Sequence, residues 1–562
     1  MSSLPSDSFP SEQSLDPTFA SGSVDPVEVF LRMSDGTRLA TDVYLPRRPA
    51  NRQQWPTLLA RLPYGKRGLV AFMPTVASYL LERGYAVVIQ DVRGKFGSEG
   101  QQTPFIHEAQ DGYDTLEWIS AQRWCNGRIG MFGDSYYGFT QWAAAASGHR
   151  SLHAIVPRVT STRLVSDWFF QGGVFCLETM ADWAAQTWTQ SDLSVYARDW
   201  NVRPLSKLVP EWLDGRRSAS LDRWMAAGSN GEYWDTLRRV QPDPSRIGIP
   251  VLHLGGAWDV FRRGQFWDWR RGNRAGRSNH YLSFSAVDHL GLRIPEDGHG
   301  PAYNWMATAS DMEVHIAEYL SETCNFLDEH LRDRAVSRST VTYEIPGLGR
   351  YESPQWPPAG VVGVALHPSR SRDMSGPEGG VLDDSPSSRE QVVLWVQDPK
   401  DLVPSLEADP WGVLFELPDE RRVEAREDVV TFTASEQLED LILLGPAQVH
   451  LEVSSSAQTY QIVAKLVHVF SDGFARRIAV GAATRTASYV KVDFGDLAYR
   501  IPRGEHLRLE IAGSSFPRYL PVFGDEAGPW QVSNPSETIE YRLRVGRGTS
   551  TIMHLSVHPN FP

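Results

Sequence analysis

Strand-like and helix-like segments alternate from residue 27 to residue 158, and this alternation constrains the fold more than any other feature of the sequence. The apolar run 85–90 is typical of a strand buried on both faces, and residues 107–121 have the pattern of an amphipathic helix. Further strands are predicted at 27–33, 37–45, 56–61, 128–132 and 152–157, and further helices at 70–83 and 136–146. The alternation predicts a mostly parallel sheet with helices on both sides.

A tryptophan-rich stretch interrupts this pattern. Strand signals fade between residues 160 and 245, and the stretch contains Trp168, Trp183, Trp188, Trp200, Trp212, Trp224 and Trp234. Alternation then resumes, with strands predicted at 250–254 and 280–284 and a long helix at 312–331. We therefore predict one α/β domain formed by 25–159 and 246–336, with a helical cap inserted at 160–245.

The chain after residue 337 has the pattern of an all-β domain. Short strand-like segments separated by turns predict an antiparallel sandwich over 337–562. The predicted strands are 341–344, 391–396, 430–433, 447–453, 462–469, 488–492 and 507–511, and 367–389 is predicted to be a surface loop. At the other end of the chain, the Ser- and Pro-rich residues 1–24 predict a disordered tail.

Charge and cysteine content exclude several classes of protein. The 55 Lys and Arg residues against 68 Asp and Glu give a net charge of −13, which is unlike a nucleic-acid or anionic-membrane binder. The 3 cysteines, Cys125, Cys176 and Cys324, are too few and too widely spaced for a disulfide scaffold or a cysteine-rich zinc site. With no apolar run long enough to span a bilayer, we expect a soluble, cytoplasmic protein. The sequence does not decide the oligomeric state, and a homodimer is one of the alternatives.

A candidate nucleophile lies between a predicted strand and an Ala-rich helix. Ser135 follows Gly133 by two residues and precedes Gly138 by three. A nucleophile elbow needs this context, because a strained turn exposes the serine hydroxyl and small neighbours let strand and helix approach. The usual spacing of the second glycine is not met, since Tyr137 occupies that place. The alternative is a tight turn with a helix-capping serine.

A base and an orienting carboxylate are found after two later strands. Asp259 comes just after the strand at 250–254, and His289 comes after the strand at 280–284. The carboxyl ends of strands are where ligands gather in open α/β sheets, and the order Ser, Asp, His is that of the α/β-hydrolase triad. The alternatives are that Asp259 caps a helix and that His289 pairs locally with Asp288.

An oxyanion hole requires two donors. The first expected donor is the backbone N–H of Tyr136, the residue after the nucleophile. The loop after an earlier strand contains Tyr64, whose neutral hydroxyl is a suitable second donor. The alternative is that Tyr64 only packs beside Pro63.

Taken together, these residues resemble the cocaine esterase-like hydrolases, which are related to the X-prolyl dipeptidyl aminopeptidases, glutaryl acylases and α-amino acid ester hydrolases. The resemblance runs from about residue 27 to the end of the chain and depends on five ordered motifs. The motifs are Arg61-Leu62-Pro63-Tyr64, Gln90-Asp91-Val92-Arg93-Gly94 with Gly97-Ser98-Glu99-Gly100, Gly133-Asp134-Ser135-Tyr136-Tyr137-Gly138, Asp398-Pro399-Lys400-Asp401-Leu402-Val403-Pro404 and Ser514-Ser515-Phe516-Pro517-Arg518-Tyr519.

The resemblance implies an α/β-hydrolase domain, a helical cap and a C-terminal jelly-roll sandwich. It also implies a triad of Ser135, Asp259 and His289, with Tyr64 donating to the oxyanion. The aromatic acyl pocket of the family corresponds here to Trp168, Trp183 and Phe261. The alternative for these aromatic residues is simple packing of the cap core.

The resulting hypothesis is a serine hydrolase that cleaves carboxylic esters, and some amides, through an acyl-enzyme, with no metal or organic cofactor. The alternatives within the family are an X-prolyl dipeptidyl aminopeptidase, an acylase, an α-amino acid ester hydrolase or an acyltransferase. An alternative hypothesis from a different class is a non-catalytic protein that binds its ligand or partner through the sandwich. The α-amino acid ester hydrolases hold an ammonium with carboxylates close after the triad aspartate, where this chain has Val260, Phe261, Arg262 and Arg263. We therefore expect an uncharged acyl group, with Asp167 as the remaining candidate for binding an amine.

Overall fold

The computed structural model describes most of the chain. The described residues are 25–47, 54–68, 70–189, 197–228, 231–274, 279–294, 309–334, 338–370, 380–407, 409–415, 418–524 and 528–561. The predicted tail at 1–24 lies outside them. None of the helices in these ranges is long and apolar enough to cross a membrane.

The first part of the chain forms one mixed ten-stranded sheet and an insertion. Its elements are β1 (Val27–Arg32), β2 (Arg38–Tyr44), β3 (Trp55–Leu62), α1 (Met73–Glu82), β4 (Ala86–Asp91), α2 (Glu108–Ser120), β5 (Cys125–Asp134), α3 (Ser135–Ala146), β6 (Leu152–Arg158), β7 (Phe170–Gln171), β8 (Val174–Phe175), α4 (Leu177–Gln186), α5 (Leu208–Trp212), α6 (Ala219–Ala227), α7 (Glu232–Val240), β9 (Val251–Gly256), α8 (Arg262–Gly272), β10 (His280–Ser285), α9 (Ala309–Arg332), β11 (Val341–Ile345) and β12 (Gly349–Ser353).

The sheet order is β1-β2-β4-β3-β5-β6-β9-β10-β11-β12. The strands from β4 to β11 are parallel to one another, and β1, β2 and β12 complete the edges with antiparallel pairs. Every residue of β3 is buried, as expected of a strand covered on both faces. One face packs on α1 and α9, and the other packs on α2 and α3. This is the mostly parallel sheet with helices on both sides that the alternation predicts, and it agrees with the α/β-hydrolase domain that the resemblance implies.

The insertion between β6 and β9 is mostly helical. A π-helix over Leu164–Phe169 leads into the small β7–β8 ribbon, and α4 to α7 follow. Tryptophans from this segment account for much of its core, because Trp168, Trp183, Trp224 and Trp234 are all buried in one aromatic cluster. The cluster also includes Tyr136 at the edge of the main sheet, so the cap packs directly over the carboxyl ends of the strands.

The remainder of the chain is a β-sandwich. Its elements are β13 (Val362–Ser369), β14 (Gly380–Asp383), β15 (Glu390–Gln397), α10 (Arg421–Glu424), β16 (Val429–Ala434), β17 (Leu441–Ser455), β18 (Tyr460–Val469), β19 (Ala475–Arg485), β20 (Tyr489–Ile501), β21 (His506–Ala512), β22 (Ile539–Gly546) and β23 (Ile552–Val557). The two layers are joined at β13, whose first half pairs with β23 and whose end pairs with β14. Side chains from both layers fill one apolar core.

Two sequence predictions differ from the structure. The segment 341–344 was predicted to belong to the sandwich, but β11 adds to the first sheet in parallel beside β10, so this sheet continues past residue 336. Alternating polarity identifies a strand without identifying its partner, and here the partner is remote in sequence. The segment 367–389 was predicted to be a surface loop, yet it contains β14, which pairs with β16. Residues 371–379 of that segment lie outside the described residues.

Candidate active site

Ser135 lies on the turn between β5 and α3, with a φ of 51°. The turn has little room, because a Cβ on Gly133 would lie 2.0 Å from the Tyr137 ring and one on Gly138 would lie 2.5 Å from Thr160. A positive φ at a serine costs energy, and such strain is typical of a nucleophile elbow. The helix-capping alternative does not match the structure, since Asp134 occupies the N-cap position and Ser135 is the first helical residue.

Asp259 and His289 are in contact. His289 Nδ1 lies 2.7 Å from Asp259 Oδ1, and the two residues follow β9 and β10, which are neighbours in the sheet. Asp259 is only 6% exposed, so its interaction with the imidazole is shielded from water. Asp259 is not a helix cap, because the N-cap of α8 is Phe261.

The carboxylate of Asp288 binds backbone N–H groups, whereas the alternative considered from the sequence was a local pair with His289. Its Oδ1 accepts hydrogen bonds from the backbone N–H groups of Leu290 and Leu292, both at 3.0 Å. Its Oδ2 accepts from the N–H of Leu414 at 3.0 Å, in a segment of the sandwich domain. Burial raises the pKa of this carboxyl to about 7. Asp288 therefore fixes the loop of His289 and leaves the imidazole to Asp259.

The hydroxyl of Tyr64 lies close to the Ser135 side chain. It accepts a hydrogen bond of 3.3 Å from Trp183 Nε1. Burial raises the pKa of Tyr64 to about 12, so its proton stays in place at neutral pH. Because Trp183 donates to the phenol oxygen, the phenol proton remains free to donate elsewhere. The alternative that Tyr64 only packs beside Pro63 does not account for this network.

Tyr136 is the second residue of α3, where helical geometry leaves the backbone N–H without an intrahelical acceptor. Its side chain is engaged elsewhere, because the hydroxyl donates to Glu108 Oε1 at 2.8 Å and accepts from the N–H of Phe105 at 2.9 Å. Glu108 is in turn paired with Arg61 at 2.9 Å. The side chain of Tyr136 thus anchors the turn. The backbone N–H stays the predicted hydrogen-bond donor to an oxyanion.

The three predicted pocket residues lie together beside the histidine. The rings of Trp168 and Phe261 stack at 5.5 Å, and the Phe261 ring lies 5.6 Å from the imidazole of His289. Trp183 meets Trp168 edge to face at 5.4 Å. Flat aromatic walls next to a base and a nucleophile suit a planar apolar acyl group.

Two further aromatic residues were not predicted from the sequence. The ring of Phe105 stacks on Tyr136 at 4.5 Å and on Trp183 at 5.9 Å. The ring of Trp411, from the sandwich part of the chain, lies 5.2 Å from His289, and its Nε1 donates to Asp182 Oδ2 of the cap at 2.7 Å. Phe105 lies in a loop with no periodicity, and Trp411 is far from the triad in sequence, so neither gave a usable signal.

The charged residues near the site are largely paired. Arg262 donates to the carbonyl of Phe494 at 2.6 Å, and Arg263 donates to the carbonyl of Asp493 at 2.8 Å, so both guanidinium groups turn toward the sandwich. Asp167, the candidate for binding an amine, is 9% exposed and forms an ion pair of 3.1 Å with Arg163. Among the described residues, no group of three His, Cys, Asp or Glu side chains is arranged to hold a metal ion.

Comparison with known proteins shows similarity to one family in both parts of the chain. The model of the X-Pro dipeptidyl-peptidase (S15 family) matches residues 35–291, and that of the X-Pro dipeptidyl-peptidase C-terminal non-catalytic domain matches residues 335–536. The chain is thus similar to the S15 peptidases. It is also 29% identical to the cocaine esterase of Rhodococcus sp. (strain MB1 Bresler), over 87% of this chain and 91% of that protein.

Two solved structures share the whole fold of this chain. The aminopeptidase from a marine sediment archaeon, Thaumarchaeota archaeon, superposes with a TM-score of 0.77 at 18% identity, over 98% of this chain and 100% of that one. An α-amino acid ester hydrolase superposes with a TM-score of 0.75 at 20% identity, with the same coverage. The solved structures support the fold, an α/β-hydrolase domain with a β-sandwich. The matching family models and the cocaine esterase make the chain a serine hydrolase of the esterase and peptidase group.

Proposed function

We propose that this chain is a carboxylesterase that works through an acyl-enzyme on Ser135. The observation that carries the proposal is the 2.7 Å contact between His289 and Asp259, on neighbouring strands of the sheet that presents Ser135 on its strained turn. This is the constellation that nucleophilic acyl transfer requires, with a nucleophile, a base and a group that orients the base.

In the proposed mechanism, His289 Nε2 removes the proton of Ser135 as its oxygen attacks the ester carbonyl. Asp259 holds the imidazole through Nδ1 and stabilises its protonated form. The backbone N–H of Tyr136 and the hydroxyl of Tyr64 donate to the oxyanion. His289 then gives the proton to the leaving alcohol. Water, activated by the same histidine, releases the acid in the second half of the reaction.

The acyl pocket is proposed to be the aromatic space formed by Trp168, Trp183 and Phe261. Its stacked rings lie next to His289, and this closeness to the proposed base supports their contact with the acyl group of the substrate. The 29% identity to a cocaine esterase over nearly the full length supports an ester substrate with an aromatic acyl group. An X-Pro dipeptidyl-peptidase is the second candidate, because both matching models carry that description.

The two candidates differ in the charge they must bind, since a dipeptidyl-peptidase holds the free ammonium of its substrate. Asp167 is already paired with Arg163, and Asp182 accepts from Trp411 and Arg198. An ammonium in the aromatic pocket would be desolvated, and it would have to compete with these cations for either of the two carboxylates, which is costly. The arginines after Asp259 add less repulsion than their sequence positions indicate, because their guanidinium groups face the sandwich.

We therefore expect methyl phenylacetate to be hydrolysed with a kcat/KM at least about 10-fold higher than methyl phenylglycinate at a pH where the amine is protonated. Steady-state kinetics on the matched pair measures this, and an Xaa-Pro anilide tests the peptidase directly. Preference for the phenylglycinate that disappears in Asp167→Asn would reverse the assignment. Rapid cleavage of the anilide would favour the peptidase.

Trp183 gives a prediction of its own, because it donates to the oxygen of Tyr64. Trp183→Phe removes this donor and is expected to lower kcat about 2- to 10-fold, the equivalent of one hydrogen bond of about 0.5–1.5 kcal/mol. Trp168→Phe is the matched control, since Trp168 Nε1 has no acceptor among the described residues. The control changes the pocket wall, so its effect should fall on KM. Equal losses of kcat in both variants would show that the donor is irrelevant.

A further inference from the structure

A second cavity lies between the cap and the sandwich, with a volume of about 230 Å³. Phe170, Phe175 and Trp224 line it from the cap, and Gln461, Thr484 and Trp530 line it from the sandwich side. The residues at its rim include Gly173 and Gly228, which are exposed, so the cavity reaches the solvent. This volume is below the range of about 300–1,000 Å³ typical of drug-sized ligands, and suits a single ring with one substituent.

One polar side chain in this cavity is buried without a partner. Gln461 is 0% exposed, and neither its Nε2 nor its Oε1 forms a hydrogen bond with any described residue. The neighbours Tyr460 and Ile462 point into the sandwich core, so strand alternation directs Gln461 to the opposite face, toward the cap. By contrast, the hydroxyl of Thr484 already donates to the carbonyl of Tyr460 at 3.2 Å.

An unpaired buried amide is unfavourable for folding, and an apolar residue of the same size would avoid the cost. Gln461 presents both a donor and an acceptor in one plane, which is the pattern that another carboxamide completes. The described lining contains no charged side chain, and its rings form a compact apolar wall, with Phe175 and Trp530 at 5.6 Å and Phe170 and Phe175 at 5.4 Å.

We propose that this cavity is a second binding site, specific for small neutral molecules that combine an aromatic ring with a carboxamide. The ring packs among Phe175, Trp224 and Trp530, and the carboxamide pairs with the side chain of Gln461. Ser135 and His289 do not line the cavity, so the site is separate from the reacting groups. The cavity is adjacent to the proposed acyl pocket, because Trp224 stacks on Trp183 at 5.8 Å.

The probe is 4-fluorobenzamide, compared with fluorobenzene, which has the same ring without the amide. Binding to the full-length protein is followed by ¹⁹F NMR and by titration calorimetry. We expect saturable binding of 4-fluorobenzamide, at least about 10-fold tighter than that of fluorobenzene. Gln461→Leu should remove this preference. The affinity for 4-fluorobenzamide should fall about 10-fold, and the affinity for fluorobenzene should stay nearly the same.

Two further variants make the result specific to the cavity. Val522→Trp fills the rim of the cavity with a ring and should block both probes there. Gln458→Leu makes the same change as Gln461→Leu at an exposed position before β18, and should bind both probes like the unmodified protein. Equal affinity of the unmodified protein for the two probes would overturn the proposal. The same conclusion would follow if Gln461→Leu and Val522→Trp still bound 4-fluorobenzamide more tightly than fluorobenzene. The absence of saturable binding would also overturn it, since the amide would then be satisfied by water alone.

Discussion

Ser135→Ala is expected to lower kcat for ester hydrolysis by about 10⁴-fold or more, because the members of a triad act as a unit. The variant keeps the imidazole held by Asp259 but has no oxygen to attack the carbonyl. Steady-state kinetics with an aryl ester measures the loss. A fluorophosphonate probe should label the unmodified protein once and fail to label the variant, which connects the loss to this one hydroxyl.

Ser147→Ala is the matched control for this variant. It makes the same change at the other end of α3, where the Ser147 hydroxyl donates to the carbonyl of Ala144 at 2.6 Å. We expect unchanged kcat in the control and an unchanged melting temperature in both variants, since alanine tolerates the turn at residue 135 about as well as serine does. A Ser135→Ala protein that keeps more than a few per cent of the activity would show that another residue is the nucleophile.

Tyr64→Phe deletes one hydroxyl and almost no volume. If that hydroxyl holds the oxyanion, kcat should fall about 10²–10³-fold with KM little changed, the usual effect of removing one oxyanion donor. The hydrogen bond from Trp183 to this oxygen is lost as well, so Trp183→Phe should add little to the loss in the double variant. Kinetics on the two single variants and the double variant measures both effects.

Tyr79→Phe provides the control for this substitution. Tyr79 lies on α1 and donates to the carbonyl of Ala317 on α9, away from the aromatic cluster, so it should leave kcat and KM unchanged. A rise in KM alone for Tyr64→Phe would mean that the residue contacts the substrate and that a different donor serves the oxyanion.

The relation between sequence and structure differs from one part of the site to another. Ser135, Asp259 and His289 could be placed because each follows a strand of the same sheet, and parallel strands bring their carboxyl ends to one edge. Element type and position predict that arrangement, and the contact between His289 and Asp259 agrees with it.

Contacts made by loops between distant segments were beyond that reasoning. The position of β11 in the first sheet depends on its pairing with β10, and the contact of Trp411 with His289 depends on how the sandwich docks. The partners of Asp288 show the same limit, because its proximity to His289 in sequence indicated a local pair, whereas its carboxylate bonds backbone groups on two segments. The polar and apolar pattern of a segment does not indicate which remote segment it will contact.

The docking of the sandwich has a consequence for protein engineering. Leu414 holds the loop of His289 through Asp288, and Trp411 lies against the imidazole while bonding the cap through Asp182. The C-terminal part therefore supplies scaffolding for the base, although every proposed reacting group belongs to the other part. In a chimera that receives its sandwich from a relative, Trp411 and the segment around Leu414 should come from the same protein as the histidine loop. A graft joined only at the interdomain linker would keep the contact between His289 and Asp259 but would lose the hydrogen bond from Leu414 to Asp288 and the packing of Trp411 on the imidazole.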